Sequence, residues 1–159
     1  CKRYNCRMKK DNYAGAEKAL SENGEFSSRT RGISMYPLLR EGKDIVVIKP
    51  PVFPLKKHDV PLYRRKNYDK LILHRIIKTP KNGVYVIRGD NTYEKEIVNE
   101  TDIVGLLSGF FRNGRYYACS GIKYSLYVFF MRLFYPVRYV WKKALRPLLS
   151  KIKHGILKK

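Results

Sequence analysis

From Phe26 to about Tyr117 the chain breaks into short runs of β-branched and aromatic residues, each bounded by Gly, Pro, Asn or Lys. That punctuation predicts a mainly β domain. Strands are expected over 28–33, 45–49, 60–65, 71–78, 84–88 and 103–112. The Lys81-Asn82-Gly83 step carries an Asn-Gly turn signal, which joins the fourth and fifth of these runs as a hairpin. Pro61 interrupts the third run. Because proline cannot donate to a ladder, that strand is expected at an edge, or with its proline nitrogen turned outward, and such an edge could accept an extended peptide as an added strand.

Ahead of this region, Ala14, Ala16, Ala19 and Leu20 fall among charges and predict a short helix over 11–20, ended by Asn23-Gly24. The expected organisation is an N-terminal extension with this helix (1–25), a β domain (26–120) and a basic helical tail (121–159). At 159 residues the chain can bury one ordinary core plus an appendage. Met8, followed by Lys9-Lys10, reads as a start site. Cys1, Cys6 and Cys119 are an odd set without metal-ligand spacing, so neither a disulfide framework nor a metal site is expected and a reducing compartment is. No cofactor motif is present.

The chemistry-bearing residues fall in three segments, namely Gly32-Ile33-Ser34-Met35-Tyr36-Pro37, His74-Arg75 and Arg88-Gly89-Asp90-Asn91. A serine hydroxyl is a poor nucleophile until a base takes its proton. His74 can be that base and Asp90 the carboxylate that orients it, since the predicted hairpin puts the two on adjacent strands. Taken alone, Ser34 reads as a turn serine bonded to its own backbone, and His74 as a structural strand histidine. Strand alternation sets His74 on the face opposite Leu73 and Arg75.

These segments, with Gly42-Lys43-Asp44-Ile45-Val46-Val47 and Leu55-Lys56-Lys57-His58-Asp59-Val60 between them, resemble the signal peptidase I and LexA-like serine peptidase superfamily over roughly residues 31–107. Many members place lysine where this chain has His74. The chain is similar to the Ser-His branch, and more narrowly to small Firmicutes peptidases with a basic, aromatic C-terminal tail. The resemblance implies a signal-peptidase/LexA-like β-fold in which Ser34 is the nucleophile and His74 the general base. Asp90 is the expected acid, with Glu96 as the alternative because related enzymes carry an acid at its place. The Ser34 backbone N–H is the implied oxyanion donor, while Gly32 stands where some relatives add a serine hydroxyl. Asp44, Arg75, Arg88 and Asn91 are implied as supporting residues. Met35 and Pro37 are expected to shape the serine turn, and His58 and His154 to be solvated.

The net charge of +21 is concentrated in the C-terminal part, where no Asp or Glu follows Asp102 but twelve Lys and Arg do. Between Tyr124 and Tyr135 the sequence is almost wholly apolar or aromatic, yet its uncharged run is far short of the ~20 residues a spanning helix needs. After Pro136, Val137, Trp141, Leu145, Leu148 and Ile152 recur at helical spacing beside Arg138, Lys142, Lys143 and Arg146, with a break expected at Pro147. This pattern predicts residues 121–159 lying on an anionic membrane surface. Nucleic acid is the rival partner and ranks below it, as no groove-reading motif accompanies the charge.

The expected activity is therefore hydrolysis of a peptide or protein precursor through a Ser34 acyl-enzyme. Signal peptidases carry a membrane anchor ahead of the serine and no apolar run of that length precedes Ser34 in this sequence, so the expected place is the cytoplasm, peripheral to the inner face of the membrane. The other function classes are a catalytically silent membrane-surface binding module and a basic nucleic-acid-binding regulator.

Overall fold

The structure is a computed structural model and describes residues 11–65, 70–79 and 83–141. It is mainly β, a curled antiparallel sheet system with few helices. Helix α1 (Asp11–Asn23) precedes strands β1 (Phe26–Arg29), β2 (Ile45–Lys49), β3 (Pro61–Arg64), β4 (Leu71–Leu73), β5 (Arg75–Lys78), β6 (Val84–Arg88), β7 (Glu96–Asn99), β8 (Ile103–Arg112) and β9 (Arg115–Ala118). Helices α2 (Gly121–Leu133) and α3 (Tyr135–Val140) follow. The chain divides into two compact units, Cys1–Gly121 and Ile122–Lys159.

In the first unit, one sheet runs β1-β2-β8-β3-β4, with β9 also pairing β8, and a second sheet runs β5-β6-β7. Strand β8 is the ten-residue spine, pairing β2 along one side and β3 and then β9 along the other. The inner faces meet in one apolar cluster, to which Tyr63, Ile72 and Ile103 come from the larger sheet and Ile76, Ile87 and Val98 from the smaller. Outside this cluster, the α1 helix buries Ala16 and Leu20. Leu20 lies over Gly105 of β8, where a Cβ would meet Leu20 Cδ1 at 3.3 Å and the Lys49 carbonyl at 3.2 Å. The helix ends at the expected Asn23-Gly24 stop, where Gly24 adopts φ +70°, the left-handed conformation that commonly closes helices.

The predicted strand over 71–78 is two strands. The chain passes from the larger sheet to the smaller at His74, which belongs to neither. The expected pairing with the Asp90 arm holds, since β5 and β6 pair antiparallel with Arg75 opposite Arg88. Residues 81 and 82 of the predicted turn lie outside the described residues. Pro61 corrects the expectation of an edge. Strand β3 is interior, flanked by β8 and β4, and proline is accommodated because it is the first residue of the strand, where no ladder donor is lost. The strand that ends the sheet and leads toward Ser34 is β1.

In the second unit, α2 and α3 are separated by one residue, Phe134, with Pro136 in the first turn of α3, where a missing N–H costs nothing. Among the described residues no helix is long and apolar enough to cross a membrane. The predicted break at Pro147 and the positions beyond Trp141 lie outside the described residues.

Candidate active site

Ser34 sits in the turn-rich loop between β1 and β2, and this loop is anchored at its far end by Asp44. The buried Asp44 carboxylate accepts from the Arg40 backbone N–H (2.7 Å) and from Arg112 Nη2 on β8 (2.6 Å). Burial alone would raise the Asp44 carboxyl, but its bonds to Arg112 and to the Arg40 amide, with the charges of both arginines, hold it below the usual carboxylate value. Thr30 closes the loop from the other side, its hydroxyl donating to the Arg40 carbonyl (2.8 Å) and its N–H to the Asp44 carbonyl (3.1 Å). Met35, Leu38 and Leu39 turn their side chains into the core, which leaves the Ser34 turn little freedom.

The turn after β6 clamps the serine directly. Asn91 donates its backbone N–H to the Ser34 carbonyl (2.8 Å) and its side-chain amide to the Ile33 carbonyl (3.1 Å). Gly89 lies at the junction, for a Cβ there would sit 2.6 Å from the Ser34 carbonyl oxygen and 3.1 Å from His74 Cδ2. Only a residue without a side chain lets the serine turn and the imidazole share this space. The three predicted segments thus converge. Ser34 is 0% and His74 2% exposed, and among the described residues the buried Ser34 Oγ and His74 Nε2 have no hydrogen-bond partner. Native interiors seldom leave such groups unsatisfied, because each costs roughly 1–3 kcal/mol.

The two candidate acids lie in different surroundings. Asp90 is engaged on both oxygens by Arg75, at 2.7 Å from Nε and 2.7 Å from Nη2, in a buried bidentate pair. Arg75 also donates to the His58 carbonyl (3.0 Å), tying the smaller sheet to the 50–60 loop. Glu96, at the start of β7, instead faces the Nδ1 edge of His74, with Oε1 3.6 Å away. Its Oε2 accepts from the Tyr63 hydroxyl (3.0 Å) and lies 3.4 Å from Arg65 Nε. The Tyr63 hydroxyl is also 3.1 Å from His74 Nδ1. Burial, reinforced by the Arg65 charge and opposed by Asp90, pushes the His74 imidazole down to about 4, so it is neutral at ordinary pH.

Sequence reasoning missed Tyr63, Arg65 and the spacing role of Gly89. Strand β7 was not expected, so Glu96 could be named but not placed. Tyr63 reaches the site where the β3–β8 register shifts between Leu62 and Tyr63, an irregularity of the sort that re-aims a side chain. Its only signal in the sequence is a hydroxyl-tipped aromatic within a short apolar run. Arg88 stands opposite Arg75 in the β5–β6 register. His58 is half-buried with φ +81°, not the solvated residue expected, because its backbone is pinned between Ile76 and Arg75. His154 lies outside the described residues.

Burial pushes the Cys119 thiol up to about 12, with Arg75 lowering it and Asp90 raising it, so it is not a thiolate nucleophile. Among the described residues no group of His, Cys, Asp or Glu could hold a metal ion. No protein-family model and no curated protein matches the chain.

Proposed function

We propose that this protein is a serine endopeptidase of the signal-peptidase/LexA-like, Ser-His type, cleaving an extended precursor peptide. The observation that carries the reading is that a buried hydroxyl, Ser34 Oγ, and a buried imidazole nitrogen, His74 Nε2, both lack hydrogen-bond partners among the described residues, in segments that meet at Gly89. In the proposed cycle Ser34 Oγ attacks the scissile carbonyl carbon as its proton passes to His74 Nε2. The C–N bond then breaks, the leaving amine takes that proton, and a water activated by His74 releases the acyl group. The Ser34 N–H is the proposed oxyanion donor. Because the hydroxyl is fully buried, substrate engages it only once the groups that cover it are displaced.

The terminal strand β1 leads toward Ser34, and its Ser28 and Arg29, with Thr30, border a small recess of about 10 Å³ whose other wall is Val46, Leu62, Leu71 and Leu73. An extended peptide added along β1 would find main-chain partners on that strand, which ends the sheet. Residues 121–159 are proposed to hold the enzyme on an anionic membrane surface. Supporting this, Ile122, Phe129, Leu133 and Val137 are all more than half exposed in α2 and α3, among Lys123, Arg132 and Arg138.

The test is to incubate wild type, Ser34→Ala and His74→Ala with a peptide library and anionic vesicles, then map new N-termini by mass spectrometry. Cleavage is expected from the wild type alone, with a loss on the order of 10⁴-fold or more in each variant. Identical profiles from all three would leave the silent binding module or the nucleic-acid regulator as the reading, and vesicle and DNA binding at rising salt would separate those.

A further inference from the structure

We infer that Tyr63 and Glu96 act together as positioning residues that fix His74 in the tautomer with its proton on Nδ1, leaving Nε2 as the lone-pair nitrogen. The argument is a count of hydrogens. A phenol carries one, and a carboxylate has none to give. With Glu96 Oε2 3.0 Å from the Tyr63 oxygen, the phenol hydrogen is committed to Glu96. The 3.1 Å contact between that same oxygen and His74 Nδ1 can then be made only by an N–H on the imidazole. A neutral ring has a single N–H, so Nε2 is bare.

Nε2 is also the ring nitrogen without a partner, and it is bonded to Cδ2, the atom that shares the Gly89 space with the Ser34 carbonyl. The tautomer that the network dictates is the one a general base requires. Arg65 supports the arrangement from behind, 3.4 Å from Glu96. When Nε2 takes the serine proton, the resulting imidazolium keeps its Nδ1–H on Tyr63 and a carboxylate 3.6 Å away. Asp90 is instead engaged on both oxygens by Arg75, while the carboxylate that faces His74 Nδ1 is that of Glu96. The tyrosine is thus inserted between acid and base, a Ser-His pair oriented by a phenol and a glutamate in series.

The inference deepens the peptidase reading and rests on it for its catalytic consequence, but the tautomer is measurable without any substrate. The experiment is nitrogen NMR on histidine-labelled protein near pH 7, with His74→Gln to assign the resonances. The expected wild-type spectrum has His74 protonated on Nδ1 and unprotonated on Nε2. In Tyr63→Phe, both tautomers should appear. In Glu96→Gln, an amide that donates to the phenol frees its hydrogen to point at Nδ1 and shifts population toward Nε2–H. A change in either variant supports the inference. An Nε2–H tautomer in the wild type, or Nδ1–H persisting alone in both variants, overturns it. On cleavage, Tyr63→Phe and Glu96→Gln should lower kcat by about 10- to 100-fold with KM little changed, because general-base efficiency and not binding is affected. If the wild type cleaves nothing while the spectra behave as expected, the peptidase reading fails and the tautomer assignment stands.

Discussion

In the unit spanning Cys1–Gly121, Leu39, Ile48, Ile76 and Ile87 are almost wholly buried, whereas in the unit spanning Ile122–Lys159 Ile122, Phe129, Leu133 and Val137 are more than half exposed. The residue types are alike and the outcomes opposite. In the β unit, two sheets supply facing apolar surfaces, and buried polar groups such as Asp44, Asp90 and Arg75 carry charge-assisted bonds. The exceptions at the centre are Ser34 Oγ and His74 Nε2. Among the described residues the helical unit has the short helices α2 and α3, with Val128 buried in α2, and exposed apolar side chains beside Lys123, Arg132 and Arg138. An exposed apolar surface of this kind marks contact with something outside the chain. One unit has spent its hydrophobic residues on holding two polar atoms in place, while the other presents them.

The sharpest way to break the comparison is to damage the β unit alone. Asp44→Ala leaves Arg112 and the Arg40 N–H without their buried acceptor, and removing one partner of such a pair costs about 3–5 kcal/mol. Urea unfolding followed by circular dichroism should show a loss of that size, with vesicle binding of the helical unit unaltered. A change under about 1 kcal/mol would mean that Asp44 is not the anchor of the serine loop.

A smaller effect follows from His74. Its folded value, about 4, lies below the ordinary 6.5, so between those values the unfolded chain takes up a proton that the folded protein refuses. Its contribution to stability is therefore complete above pH 6.5 and is lost as pH falls toward 4, by about 3 kcal/mol in all. His74→Gln should flatten the stability curve in that window relative to wild type, and parallel curves for the two proteins would refute the assignment. The smallest effect belongs to the helical unit. Phe129→Ser and Phe130→Ser should each weaken binding to anionic vesicles about tenfold, as expected for partial loss of a buried aromatic. Both should leave unfolding of the β unit unchanged. Equal binding of neutral and anionic vesicles would remove the electrostatic part of the proposal.

Much of the strand pattern was legible. The runs over 45–49, 84–88 and 103–112 carry enough β-branched and aromatic residues between turn signals to be read directly, and all three are strands with those bounds. Strands β7 and β9 were not read. Glu96–Asn99 has two apolar residues flanked by polar ones, and its pairing with β6 comes from the partner strand. The split of 71–78 at His74 was equally hidden, because Leu71 to Ile77 is a continuous strand-like run and nothing local marks where it changes sheets.

The candidate site divides along the same line. Sequence by itself determined the chemical inventory, placing a serine, a histidine and two candidate carboxylates in segments separated by strands and turns, together with the charge asymmetry of the C-terminal region. These depend on residue type and near neighbours, which the order of the chain contains. Only the tertiary structure decided that Asp90 is held by Arg75, that Glu96 stands behind His74, and that Tyr63 lies between them. Those facts depend on which strands become neighbours, on a register shift in β3, and on the crossing between sheets at His74. Such contacts join residues as far apart as Tyr63 and Glu96, and the burial of the whole domain fixes them where no local preference could.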